Sequence, residues 1–294
     1  LASAGWRVRL LMRRDPVVPE WRGLEPQVVA GDLRDVAALD ALVDGADRVV
    51  HVAGLIKAAR RRAFFDVNVS GTVALAEAIA RRAPAAHLLH VSTLAAREPQ
   101  LSDYAASKRA GEDAARRILG SRTTVIRPPA VYGPGDPESL VFFKLARGAR
   151  VPLAGPPGAR AALIHVADLV ALMTAMAESP DGGVWHAADA RPDGYTWREI
   201  FAAAAKAVGN SDARLFHAPM AMLRAVALAG DVGRLFGAAN MLNSLKLREL
   251  RHPDWSVPVA QWVRPAGWSP RFDLEAGFAD AVRWYRAAGW LPAA

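Results

Sequence analysis

Short β-branched runs alternate with helically spaced apolar stretches through the first 127 residues of this chain, and few folds accommodate that order. Residues 6–12, 27–30, 47–53, 86–92 and 123–127 read as strands; 36–43, 66–82 and 104–119 read as helices. On 66–82, Val67, Leu75, Ala78 and Ile79 recur on one face. Strand and helix in turn, with connections this short, call for right-handed crossovers and a parallel sheet. The run Arg48-Val49-Val50-His51-Val52 is nearly continuous in valine, as expected of a strand covered on both faces. The expected class is α/β, a doubly wound parallel sheet.

Beyond Arg127 the pattern loosens. Pro128-Pro129 and Gly133-Pro134-Gly135-Asp136-Pro137 are turn chemistry. Helical spacing returns at 140–147, 166–177, 197–208, 220–235 and 274–287, and 184–187 resembles one more strand. Six of the nine Trp lie beyond residue 190. The expected organisation is a nucleotide-binding core over 1–190 and a small, mostly helical substrate lobe over 191–294, with loops from 128–160 contributing. Leu1-Ala2-Ser3-Ala4-Gly5 reads as the last turn of a helix with its C-terminal glycine. A doubly wound nucleotide fold opens with a strand and a Gly-rich turn before such a helix, so both are expected to be missing, roughly twenty residues. Weak cofactor binding by the chain as written is the corresponding expectation.

Composition excludes several classes. With 52% apolar and 22% charged residues the chain is not disordered. It has no Cys, hence no disulfide, thiolate metal site or cysteine nucleophile, and a cytoplasmic location is expected. The net charge of +8 comes from 37 basic residues of which five are Lys. The arginines are dispersed, and Arg60-Arg61-Arg62 lacks interleaved aromatics, so no nucleic-acid partner is expected. The seven His do not cluster along the sequence, and no metal is expected. No uninterrupted apolar run reaches the ~18 residues of a spanning helix. The stripe Met220-Ala221-Met222-Leu223…Val226-Ala227-Leu228 is read as core or pocket wall rather than a membrane anchor; exposed, it would let the lobe rest on a bilayer or admit a lipid-like substrate.

The strongest chemical signal is Tyr104-Ala105-Ala106-Ser107-Lys108, a phenol and an amine on one helix face. A nearby ammonium is expected to bring a phenol of pKa about 10 toward the working range of a general acid or base. Val91-Ser92-Thr93 closes an apolar strand upstream and puts hydroxyls on the ligand side of a parallel sheet. Gly31-Asp32-Leu33 and Val52-Ala53-Gly54 end two further strands with small residues that let a cofactor approach. Asp32 could accept from an adenine amine or serve as a turn residue.

These pieces, together with Asn68-Val69-Ser70-Gly71-Thr72, Arg127-Pro128-Pro129-Ala130-Val131-Tyr132-Gly133-Pro134-Gly135-Asp136 and Ile164-His165-Val166-Ala167-Asp168, resemble an extended short-chain dehydrogenase/reductase over nearly the whole chain. That superfamily includes the nucleotide-sugar epimerases and dehydratases. The resemblance implies that Tyr104 exchanges the proton and that Lys108 lowers its pKa and holds the nicotinamide ribose. Thr93 polarises the substrate oxygen, with Ser92 the alternative. Asp32 and Leu33 flank the adenine; Val52, Ala53 and Gly54 line the ribose and phosphates; Asn68 stands behind the site. Pro128 and Val131 lie in the loop passing the nicotinamide. His165 and Asp168 are read as structural. NAD-preferring relatives carry an acid after the second strand of the fold, where this chain has Arg13-Arg14, so NADP(H) is expected over NAD(H). The implied activity is interconversion of a carbonyl and a secondary alcohol on a small apolar substrate. A nucleotide-sugar epimerase and a non-catalytic NADP(H)-binding scaffold or sensor are the alternatives. Leu94 and Ala95 stand where dehydratases have acids. A homodimer through 66–82 and 104–119 is also implied.

Overall fold

The computed structural model describes residues 1–14, 23–24, 26–235 and 244–293. Four parallel strands form the central sheet: β3 (Arg48–His51), β4 (His87–Val91), β5 (Thr123–Arg127) and β10 (Gly183–His186), side by side in that order. β1 (Arg9–Met12) and β2 (Gln27–Ala30) form a separate parallel pair. On one face of the sheet lie α1 (Val36–Val43), α3 (Gly71–Arg82) and α4 (Asp103–Leu119), where Leu39, Val43, Leu75, Ile79, Leu88 and Leu119 pack together. On the other lies α6 (Val166–Glu178), whose Leu169, Leu172 and Met176 meet Leu89 and Ile126. Helices on both faces of a parallel sheet make the expected α/β, Rossmann-like architecture.

Local chemistry sets the helix starts. Asp35 caps α1 by accepting from Ala38 N at 3.0 Å, and Ser102 caps α4 by accepting from Ala105 N at 3.0 Å. The helix expected at 66–82 begins earlier, as α2 (Arg61–Phe65), and passes through one π-helical stretch, Asp66–Ser70, into α3. By length and composition, 61–82 is the one stretch among the described residues able to cross a bilayer. Leu75, Ala76, Ala78 and Ile79 are instead buried in the core, which is the ordinary place for such a helix.

The second lobe draws on both halves of the chain. β7 (Arg150–Leu153) pairs with β12 (Arg214–His217), and β8 (Arg160–Ala161) lies between β11 (Tyr195–Thr196) and β13 (Asp254–Trp255). β6 (Ala130–Tyr132) pairs with β9 (Leu163–His165). Around these strands pack α5 (Leu140–Ala146), α7 (Trp197–Val208) and α10 (Leu274–Ala287), with Tyr132, Phe143, Phe278 and Tyr285 at the centre. Asp168 accepts from the backbone N–H groups of Arg271 and Phe272, each at 3.0 Å, so it ties α6 to the chain before α10. Two further helices, α8 (Met220–Leu235) and α9 (Ser244–Leu250), pack on each other through Leu223, Ala227 and Leu247. The apolar stripe of α8 is therefore core on one side only. The core reading is met by Leu223 and Ala227, whereas Met222, Val226 and Leu228 are exposed.

Candidate active site

Thr93 follows the carboxyl end of β4, and Tyr104 lies in the first turn of α4. Thr93 stands close enough to act on the phenol of Tyr104. The turn after Thr93 is pinned to the sheet, because Leu94 N donates to the Pro128 carbonyl at 2.7 Å. Burial pushes the Tyr104 phenol up to about 12, opposed by the Thr93 side chain and reinforced by the Glu249 carboxylate. This reverses the expected downward shift. The Lys108 ammonium donates to the Val91 carbonyl at 2.7 Å and is buried, which lowers it to about 8, while Glu112 opposes that shift.

Ser92 and Thr93 have separate tasks. Ser92 donates to Glu112, which also accepts from Arg127 Nε at 2.9 Å and Nη2 at 2.5 Å. Ser92 is thus committed to a buried ion pair beneath α4, which leaves Thr93 as the strand-end hydroxyl that acts on the phenol. Asn68 is buried in the π-helical stretch, where its Nδ2 donates to Leu55 O at 3.0 Å and to Ser107 Oγ at 2.9 Å. Gly111 makes room for that stretch: a Cβ there would stand 2.4 Å from the Asn68 carbonyl oxygen.

The residues present fit a nicotinamide dinucleotide along the carboxyl ends of the strands. A side chain on Gly54 would stand 3.5 Å from Lys108 Nζ and 3.3 Å from Asn68 Oδ1, so the glycine keeps open the space on which both converge. Val52, Ala53 and Gly54 are exposed beside it. Toward the other end, Arg13, Gly31, Asp32, Arg34 and Asp35 line an open crevice of about 480 Å³. Asp32 accepts from Arg34 Nη2 at 2.6 Å and from Arg34 N at 2.8 Å, and these bonds hold its carboxyl at about 2. Arg14 is exposed and outside that lining. Leu33 turns toward α3, with Cδ1 2.8 Å from where a Cβ on Gly71 would sit. Pro128 is buried, and Val131 packs beside Ile164 and Leu169.

Sequence reasoning missed four polar residues here. Glu112 was legible in principle, one turn beyond Lys108 on the face that Tyr104 begins. Arg127, closing an apolar strand, was its natural counter-ion. Arg34 and Glu249 gave no comparable signal. The histidines also differ from expectation: His51 and His90 face each other across β3 and β4, with ring centroids 5.1 Å apart. Burial holds both well below the usual imidazole range, and the Lys108 charge adds to it. Among the described residues no cluster able to hold a metal ion occurs.

A phenol protonated at neutral pH, beside a strand-end alcohol on a doubly wound sheet, belongs with the NAD(P)-dependent oxidoreductases of the extended short-chain dehydrogenase type. The profile of the NAD dependent epimerase/dehydratase family matches residues 1–187, and the chain belongs to that family. It is 47% identical over 292 residues to the ceramide reductase of Caulobacter vibrioides, covering 92% of this chain and 91% of that protein. It is 31% identical over 157 residues to the sterol demethylase protein B of Methylococcus capsulatus, covering 46% and 47% of the two chains. Among solved structures it resembles MoeE5 in complex with UDP-glucuronic acid and NAD, with a TM-score of 0.69 and 18% identity over 97% of this chain and 93% of that one.

Proposed function

We propose that this chain is an NADP(H)-dependent reductase that converts a carbonyl on a long-chain, ceramide-like lipid to a secondary alcohol. The gathering of Thr93, Tyr104 and the Val91-bound Lys108 at the carboxyl end of β4 carries the reading. A bound nicotinamide supplies the hydride in this chemistry, and the chain supplies orientation and the proton. Thr93 and Tyr104 together offer donors to a carbonyl oxygen as it gathers negative charge. A phenol held near 12 stays protonated at neutral pH, which suits a proton donor and hence the reductive direction. Lys108, bound to the Val91 carbonyl, presents its remaining N–H groups toward the space beside Gly54, where a ribose would lie. Arg13 and Arg34 supply positive charge beside Asp32 for a 2′-phosphate, Arg34 taking the part expected of Arg14. The lipid class rests on the 47% identity, across about nine-tenths of both chains, to a protein named for ceramide. A dimer through α3 and α4 and a cytoplasmic location belong to the same reading; light scattering and cell fractionation test them.

The deciding experiment follows NADPH absorbance with three substrates: a long-chain keto-amide, a sterol ketone and UDP-glucose. Loss of NADPH with the keto-amide, abolished in Tyr104→Phe, is the expected result. Turnover of UDP-glucose without net change in nicotinamide would install the epimerase instead. Cofactor binding without turnover of any of the three would leave a scaffold.

A further inference from the structure

Helix α8 is apolar on two sides. Its inner side, Leu223 and Ala227, packs on Leu247 of α9. Its outer side carries Met222, Val226, Leu228 and Val232, which are 40%, 47%, 64% and 50% exposed, with three exposed alanines between them. At about 100° per residue these seven positions sweep an arc of about 160° that holds no polar side chain. Arg224 and Asp231 sit together along one edge of the arc. Asp231 is engaged internally, accepting from Ser244 N at 3.2 Å and from the Ser244 hydroxyl, whereas Arg224 is exposed.

We infer that the outer face of α8 docks on the surface of an anionic lipid bilayer. Protein partners ordinarily meet through about one hydrogen bond per 100–200 Å² and through Tyr, Trp and Arg anchors, and no side chain in this arc can donate or accept. Insertion among acyl chains asks only for apolar area on one face and basic charge at its edge. Arg224 supplies that edge, and the net charge of +8 favours an anionic surface at longer range. The placement also suits the chemistry. α9, which carries α8, reaches the catalytic helix directly, because Glu249 accepts from Ser102, the cap two residues before Tyr104. A lipid leaving the bilayer at α8 would enter one helix away from the phenol. That route rests on the lipid-reductase reading above; the docking surface does not.

Flotation of the purified chain with phosphatidylcholine vesicles, with or without about one-third phosphatidylglycerol, tests the inference. The chain should float with the anionic vesicles and much less with the neutral ones. Val226→Glu/Leu228→Glu should cut partitioning at least ten-fold with an unchanged melting temperature, since both side chains are exposed. The same variant should turn over a short-chain soluble ketone at the parental rate and lose at least ten-fold on a vesicle-embedded long-chain ketone. A chain that stays at the bottom of the gradient with both vesicle types would overturn the inference. So would a dimer that the double substitution splits, since the face would then be a seam between two copies. Flotation without turnover of any lipid would sink the reductase reading and leave the docking surface standing.

Discussion

The ion pair beneath α4 can be taken apart one charge at a time. Glu112 is 1% exposed and Arg127 8% exposed, and Ser92 shares the carboxylate. Both charges are largely removed from water, so removing one partner strands the other at a cost of about 3–5 kcal/mol. At about 2.1 cal/mol/K per residue, a chain of this length has a melting entropy of about 0.6 kcal/mol/K. Arg127→Met or Glu112→Leu alone should therefore lower Tm by about 5–8 °C. The double substitution removes both charges together and leaves only the Ser92 hydroxyl unpaired, so calorimetry should show a coupling of about 2 kcal/mol or more between the sites. Glu112→Leu carries a second signature. Its carboxylate favours the Lys108 ammonium, so its loss should move the alkaline limb of kcat/KM downward from about pH 8. Arg127→Met keeps that carboxylate and should not lower the limb. A double variant as unstable as the sum of the two singles would show that the charges are not coupled and would refute the reasoning.

Three further outcomes follow from the geometry. Burial depresses Lys108 from 10.5 to about 8, so its ammonium is present below that pH and lost above it; reductive kcat/KM should fall as pH rises through about 8, and Tyr104, near 12, should add no limb below that. Gly111→Ala places a methyl 2.4 Å from the Asn68 carbonyl oxygen and should destabilise the chain by about 1–3 kcal/mol, read as a drop in denaturation midpoint. Arg13→Glu puts a carboxylate into the Asp32 crevice and should weaken NADPH at least ten-fold while leaving NADH within about two-fold, as titration of both cofactors would show.

Secondary structure was most legible where one interaction dominates. β2, α1, β5, α7, α8 and α10 fall at the boundaries that apolar spacing and caps imply, and each of the four helices buries a periodic face. Beyond residue 190 helices dominate, as expected, but β8, β11 and β13, two residues each, were not legible. Pairing partners distant in the chain, rather than any local pattern, make them strands. The π-helical stretch at Asn68 was equally hidden, because the glycine that makes room for it, Gly111, lies on another helix. At the site, the Tyr104–Lys108 spacing showed which residues share a face but could not show where the ammonium would be spent. Once Lys108 bonds to Val91 O, the phenol is left to desolvation and to Glu249, and its shift changes sign. Charge balance in a buried site depends on partners contributed by remote segments, and single-sequence spacing does not carry that information.

Thr93 and Tyr104 stand at the two ends of one short connection, and both lobes hold it. On the sheet side, Pro128 takes the N–H of Leu94. On the lobe side, Arg97 donates to the Ser256 carbonyl at 2.8 Å and to that of Asp254, and Ser102 donates to Glu249. The Trp255 indole closes the frame by donating to the Glu249 carbonyl at 2.8 Å. General acid catalysis needs the donor within hydrogen-bond reach of the oxygen it protonates, and displacements of about 1 Å are costly. Residues 249–256 therefore set the reach of the phenol although none of them precedes residue 191. On the proposed reading the lobe that admits the substrate also aims the proton, so a disturbance of α9 should be felt first in kcat and only then in binding of the nicotinamide.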